Sequence, residues 1–221
     1  MTELLYLGSR LTRPDPALWQ ALRHVPTSVL ADTTREVGVA GHPLGMVTPR
    51  PAFIGPAVTV AAGSLAQWKA LEDVQAGDVL VIACGGRRDC AEFGAVFAAI
   101  AQARGVAAII TDGLLRDLEE IAALVLPVLA AEAHPASPFD PTPGSINLPI
   151  TLSGLTVRPG DLIAGDGDGI AVVPLESLRK VAERLPAQKQ KEAALQKAMA
   201  TGILPDALMA GLARISVQQR E

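Results

Sequence analysis

A chain of 221 residues is long enough for one well-buried domain, and 49% hydrophobic residues with only 3% aromatics predict a core of Ala, Val, Ile and Leu. Such a core suits helices packed closely on a mostly parallel sheet. The net charge of -4, with 19 basic and 23 acidic residues and no basic run, argues against nucleic acid, and no apolar stretch of spanning length argues for a membrane.

In chain order, the start Met1-Thr2-Glu3-Leu4-Leu5-Tyr6 lacks the basic segment and cleavage site of a signal peptide, so a cytoplasmic location is expected. Asp15-Pro16 predicts a short helix carrying Leu18, Trp19 and Leu22, and Thr27-Ser28 offers a cap for a second. Pro43, Pro49 and Pro51 mark a connecting loop. Residues 57–61 and 78–83 read as strands, and residues 65–73 as the helix of a β-α-β unit. Cys84 and Cys90 lack the further Cys or His of a zinc set and read as two reduced thiols.

Residues 91–104 space Phe93, Val96, Phe97 and Ile100 as a helix does, and lead into a buried strand over residues 105–110. Strand–helix alternation predicts a parallel core. From Leu126 the texture changes. Short strands at 127–130, 150–152, 155–157, 161–164 and 170–173, separated by Gly, Pro and Asp, predict an antiparallel half. Gly165-Asp166-Gly167-Asp168-Gly169 reads as a hairpin turn; no Gly-Lys-Ser/Thr follows, and Ser177 stands where a calcium loop needs Glu. The stretch from Leu175 is helical and polar, with a stripe too weak to fold alone. The expected organisation is an α/β domain over residues 1–174 and a helical arm over 175–221, packing on the core or on a neighbouring subunit.

The chemistry concentrates in Thr111-Asp112-Gly113-Leu114-Leu115-Arg116-Asp117-Leu118-Glu119-Glu120, at the end of a buried parallel strand, where open α/β sheets place ligands. On charge alone the Arg116–Asp117 pair reads equally as a solvated helix start. Gly94, Ala95, Val96 and Phe97 open the preceding helix, whose backbone N–H groups and dipole suit a small carboxylate. Arg116 can reach the same pocket, and Asp117 can hold a hard cation with water and substrate oxygens in its open positions. His24, His42 and His134 have no paired spacing, so Mg²⁺ or Mn²⁺ is favoured over zinc. None of Lys69, Lys180, Lys189, Lys191 and Lys197 lies on a buried strand, which disfavours a Schiff base.

The segments Gly77-Asp78-Val79-Leu80-Val81, Phe93-Gly94, Thr111-Asp112-Gly113-Leu114-Leu115-Arg116-Asp117, Asn147-Leu148-Pro149-Ile150 and Asp166-Gly167-Asp168-Gly169-Ile170 resemble the RraA-like superfamily in order and spacing. The resemblance implies a swivelling-domain-like mixed sheet core flanked by helices, a C-terminal helical arm, and a homotrimer or homohexamer. Its members include 4-hydroxy-4-methyl-2-oxoglutarate/4-carboxy-4-hydroxy-2-oxoadipate aldolases, with oxaloacetate decarboxylase activity, and regulators of ribonuclease E. Gly94, Arg116, Asp117 and Glu120 match the aldolase pattern, and regulators typically lack the Asp.

By that likeness Arg116 polarises the pyruvyl ketone and Asp117 ligates Mg²⁺. Backbone N–H groups at the positions of Gly94 and Phe97 bind the pyruvyl carboxylate, and Glu192 from a neighbouring subunit joins the metal's outer shell. The expected reaction is lyase cleavage of a small keto acid to pyruvate; the alternative is a non-catalytic regulator of an RNA-processing partner. One departure is Ala95, where the aldolases carry an acid. Arg87, Arg88 and Asp89 either compensate for it or form a solvated turn, the reading favoured from sequence.

Overall fold

The computed structural model describes residues 4–9, 11–40, 44–48, 52–61, 63–138 and 142–215; Pro43, Pro49 and Pro51, read as a loop, lie outside them. The chain opens with β1 (Tyr6–Leu7), α1 (Pro16–Trp19), a 3-10 turn, α2 (Thr27–Ala31), β2 (Gly38–Ala40) and β3 (Gly45–Met46). The three short strands were not anticipated. Asp15 caps α1, its carboxylate accepting the Ala17 N–H at 2.9 Å. The start of α2 differs from expectation. Thr27 lies inside the helix, and its N–H and hydroxyl donate to the two carboxylate oxygens of Asp166 at 2.8 and 2.7 Å. A side chain 139 residues away does the work of a local cap.

Next come β4 (Phe53–Ala61), α3 (Ser64–Asp73), β5 (Val79–Ala83), β6 (Ala91–Phe93), α4 (Ala95–Ala103), β7 (Ala108–Thr111), β8 (Leu114–Leu115), α5 (Leu118–Ala122), β9 (Val128–Ala130) and β10 (Glu132–Ala133). Residues 91–93, expected as the start of a helix, instead form a strand, and the helix begins one residue after Gly94. Strands β4, β5, β7 and β9 lie side by side and parallel. Every residue of β5, β7 and β9 is buried, as parallel strands covered on both faces must be. The parallel core therefore extends one strand past the expectation, which had assigned residues 127–130 to the antiparallel half. The crossover that makes β9 parallel is α5, whose five residues sit in a charged cluster and leave little periodicity to read.

The antiparallel part is β14 (Leu162–Asp166) against β4, β15 (Gly169–Val173) against β14, and β2 against β15; these follow β11 (Ser145–Ile146), β12 (Ile150–Leu152) and β13 (Leu155–Val157) in the chain. Asp166 pairs with Gly169 across a two-residue turn, so the glycine–aspartate run is the hairpin expected. The result is one mixed sheet in the order β2-β15-β14-β4-β5-β7-β9-β3. Helices α3 and α4 cover one face through Ala66, Ala70, Phe97, Ala98 and Ala101. The β12–β13 hairpin contributes Ile150, Leu152 and Val157 to the core on the other.

Past a short 3-10 turn, α6 (Leu178–Thr201) buries Leu178, Val181 and Leu185 beside Trp19, Leu22 and Leu30. Its later turns and α7 (Asp206–Leu212) are mostly exposed. Among the described residues no helix is long and apolar enough to cross a membrane.

Because Asp166 serves Thr27 twice and also accepts the Asp168 N–H at 3.0 Å, Asp166→Ala is expected to cost about 2 kcal/mol, and Asp168→Ala within about 0.5. Urea denaturation midpoints of the two variants check this, equal midpoints refuting the remote cap.

Candidate active site

A second, three-stranded parallel sheet, β10-β8-β6, determines where the charged residues fall. Each of its strands follows one strand of the parallel core: β6 after β5, β8 after β7, β10 after β9. The residues just past these short strands therefore converge. Gly94 follows β6, Arg116 follows β8, and the segment reaching Ser137 follows β10. Backbone bonds lock the three together: Arg116 N–H to Phe93 C=O at 3.2 Å, His134 N–H to Leu115 C=O at 2.7 Å, and Ala91 N–H to Ala136 C=O at 2.8 Å.

They enclose a cleft of about 240 Å³. Gly94, Val96, Phe97, Arg116 and Asp117 line it, together with Trp68 of α3 and Ser137. Asp117 sits in the left-handed region, φ 57° and ψ 44°, which Asp tolerates better than most residues. That turn carries its carboxylate back over the start of α4. There Oδ2 accepts the Ala95 N–H at 3.1 Å and lies 3.6 Å from Arg116 Nε. Gly94 makes the approach possible. A Cβ there would collide with Asp117 Oδ2 and stand 3.0 Å from Arg116 Cγ. The Arg116 guanidinium also donates through Nη1 to the Ser137 hydroxyl. The side chains of Arg116 and Asp117 are 43% and 39% exposed, open to a ligand.

The predicted residues are not all in one place. Ala95 does not line the cleft, and its N–H, expected for substrate, is taken by Asp117. Val96 and Phe97 N–H, in the first turn of α4, have no acceptor among the described residues. Glu120 is exposed on α5 and does not line the cleft. Glu192 lies on α6, in a separate groove with His24, Ser28 and Lys189, and within one chain is not brought to Asp117.

Glu92, which the sequence reading missed, stands in the cleft wall with its side chain fully buried. Arg87 Nη2 donates to Oε1 and Gln67 Nε2 to Oε2, both at 2.8 Å. Burial pushes the carboxyl above the ordinary carboxylate range, and Arg87 and Gln67 offset only part of that. Arg87 is thus not part of a solvated turn, as read from sequence. Arg88 donates to Asp112 C=O at 2.8 Å, and both Arg88 and Asp89 are exposed and without an ion pair among the described residues, as a solvated turn implies. The available signal was an acid flanked by buried apolar residues five positions after an arginine.

Among the described residues no three His, Cys, Asp or Glu side chains gather as a metal set. Asp117 nonetheless suits a hard cation: Oδ1 has no hydrogen-bond donor among the described residues, and the carboxylate is accessible. One chain offers a single oxygen-donor residue, which fits Mg²⁺ or Mn²⁺ with many waters and does not fit zinc.

The RraA-like family model, described as Aldolase/RraA, matches residues 27–172. A protein of Halalkalibacterium halodurans named "Putative 4-hydroxy-4-methyl-2-oxoglutarate aldolase" is 29% identical over 185 residues, 82% of this chain and 88% of that one. One of the same name from Deinococcus radiodurans is 33% identical over 155 residues, 69% of this chain and 97% of its own. Among solved structures, Streptomyces coelicolor RraAS2, titled an unusual member of the RNase ES inhibitor RraA protein family, superposes with a TM-score of 0.73 at 25% identity. The match covers 82% of this chain and 96% of that chain.

The buried Glu92 gives the cleft wall a pH signature. Well below the ordinary carboxylate pKa, Glu92 is protonated in folded and unfolded chains alike. Between that value and its raised folded value the folded chain holds the extra proton, so stability falls as pH rises through the window. Arg87→Met removes the offsetting charge and widens the window upward. The expected cost is about 3 kcal/mol at pH 8 and a small fraction of that at pH 4, read from urea unfolding at both. A pH-independent cost would refute the pairing.

Proposed function

The chain belongs to the RraA-like family, and we propose that this cleft cleaves small 2-oxo acids to pyruvate, as a divalent-metal-dependent aldolase and oxaloacetate decarboxylase. The observation that carries the reading is the placement of Asp117 and Arg116 over the start of α4, made possible by Gly94. The pyruvyl carboxylate takes the unused Val96 and Phe97 N–H groups, where the helix dipole favours an anion. Arg116, steadied by Ser137, donates to the ketone oxygen, on which negative charge grows as the carbon–carbon bond breaks. Asp117 would hold Mg²⁺ or Mn²⁺ through its free oxygen, supplying Lewis-acid charge to the same ketone oxygen. The Ala95 N–H and Arg116 keep that carboxylate aimed. No lysine lines the cleft among the described residues, in keeping with a reaction that forms no Schiff base.

The homologue names support the aldolase reading; the likeness to RraAS2, together with Ala95, supports a second, in which the chain is a non-catalytic regulator of an RNA-processing partner. A coupled pyruvate assay with oxaloacetate, with Mg²⁺ or with EDTA, separates them. Release that requires the metal, and falls about 100-fold or more in Arg116→Ala and in Asp117→Ala, is expected. Gly94→Ala should lose activity to a similar degree with its circular dichroism unchanged. Absence of pyruvate from oxaloacetate and 4-hydroxy-2-oxo acids alike, in either metal, would leave the regulator reading.

A further inference from the structure

We propose that His134, which does not line the cleft, is a positioning residue: acting through Ser137, it keeps the Arg116 guanidinium from closing on Asp117, an inference that rests on the aldolase reading above. Arg13 and Arg116 each face an aspartate, and they meet it differently. Arg13 forks onto Asp78, Nε and Nη2 donating to the two carboxylate oxygens at 2.8 and 2.6 Å. Arg116 does not, although its aspartate is the next residue. Its Nε stands 3.6 Å from Asp117 Oδ2, beyond a hydrogen bond, and its Nη2 has no acceptor among the described residues.

The group in use is Nη1, which donates to the Ser137 hydroxyl. Ser137 anchors the guanidinium there while the Ala95 N–H holds Asp117 Oδ2, so the Nε–Nη2 fork and Asp117 Oδ1 both stay available. Released from Ser137, the guanidinium is free to turn its fork onto the adjacent carboxylate, as Arg13 does on Asp78. A pair closed in that way would occupy both the donors that serve the ketone oxygen and the oxygen that serves the cation.

A turn made by His134 places Ser137. The ring Nδ1 accepts the Ala136 N–H at 3.2 Å, the same bond to the second residue on that Asn or Asp makes in an Asx turn. That N–H has no backbone acceptor among the described residues, so the imidazole is what satisfies it. Pro135, between the two, has its φ fixed by its ring. The turn is pinned at both ends, His134 N–H to Leu115 C=O at 2.7 Å and Ala91 N–H to Ala136 C=O at 2.8 Å. Ser137 follows directly, and Pro138 after it restricts Ser137 toward extended backbone. A single path thus runs from the imidazole through Ala136 and Ser137 to the open fork of Arg116.

Two measurements test the path: kcat/KM for pyruvate release from oxaloacetate, and Mn²⁺ binding without substrate, read from the electron paramagnetic resonance of the free ion. Ser137→Ala and His134→Ala should each lower kcat/KM and weaken Mn²⁺ binding by about tenfold, the scale of groups that orient a ligand from behind it. The double variant should lose no more than the worse single one, since both changes break one path. His134→Asn, whose Oδ1 can accept the same N–H, and Ser137→Thr should recover most of each loss. Should His134→Ala not fold, Ser137→Ala and His134→Asn decide the matter. Losses that multiply in the double variant, a Ser137→Ala or a folded His134→Ala without loss, or a His134→Asn as impaired as Ser137→Ala overturns the positioning and leaves the aldolase reading intact. No pyruvate from the unsubstituted protein overturns both.

Discussion

The missing Cβ of Gly94 is the constraint on which the candidate site depends. Only there can a carboxylate from the next crossover settle on the first turn of α4, and only then does the neighbouring guanidinium lie across the same spot. Asp117 supplies the other half of the fit through its left-handed backbone, a conformation costing roughly 1 kcal/mol for most residues and less for Asp. The Ala95 N–H compensates it. Backbone strain, a charged hydrogen bond and a helix dipole thus meet at one carboxylate, and each would be unexplained without the others.

The small sheet β6-β8-β10 is what turns a parallel core into a site. In an open α/β sheet the loops after successive strands are free to diverge. Here each loop is recaptured after a few residues by a second ladder, whose register leaves Gly94, Arg116 and the approach to Ser137 in adjacent positions. The ladder is only two or three residues per strand, too little to hold itself. Its support comes from below, where Phe93 and Leu115 are buried in the same cluster as Phe97, and from the side, where Arg87, Glu92 and Gln67 bridge the Cys84–Cys90 loop, β6 and α3. Polar bridging thus replaces ladder length.

The parts of this arrangement legible in the sequence were those written in local pattern. The β-α-β alternation, the hairpin at Gly165–Gly169 and the cap at Asp15 all rest on residues that act within a few positions of themselves. What escaped was non-local or very short. Asp166 capping α2, Glu92 meeting Arg87 and Gln67, and Asp117 capturing the Ala95 N–H join residues far apart or hidden in apolar runs. The two-residue strands carry no periodicity at all. Arg116 and Asp117 were found because charge at the end of a buried strand is visible in one dimension; that Ala95 gives its backbone to Asp117 was not, since any residue type could do so.

Ala95 can then be understood from the electrostatics of its surroundings. An acid at this position, as in the aldolases this chain resembles, would add a second negative charge beside Asp117 at a site whose fixed partners are one guanidinium and one helix terminus. With alanine, the Asp117 charge is balanced by Arg116 and the Ala95 N–H within the chain itself. The cleft trades attraction for a cation against tolerance for an anion, since like charges a few ångströms apart oppose one another strongly away from bulk water. Glu92 does not undo that trade. Its side chain is sealed from solvent and its charge is answered by Arg87, so it shapes the wall without adding an exposed negative group. Among the described residues the site thus offers one open carboxylate, one open guanidinium and two helix N–H groups without acceptors, a set suited to a small monoanion.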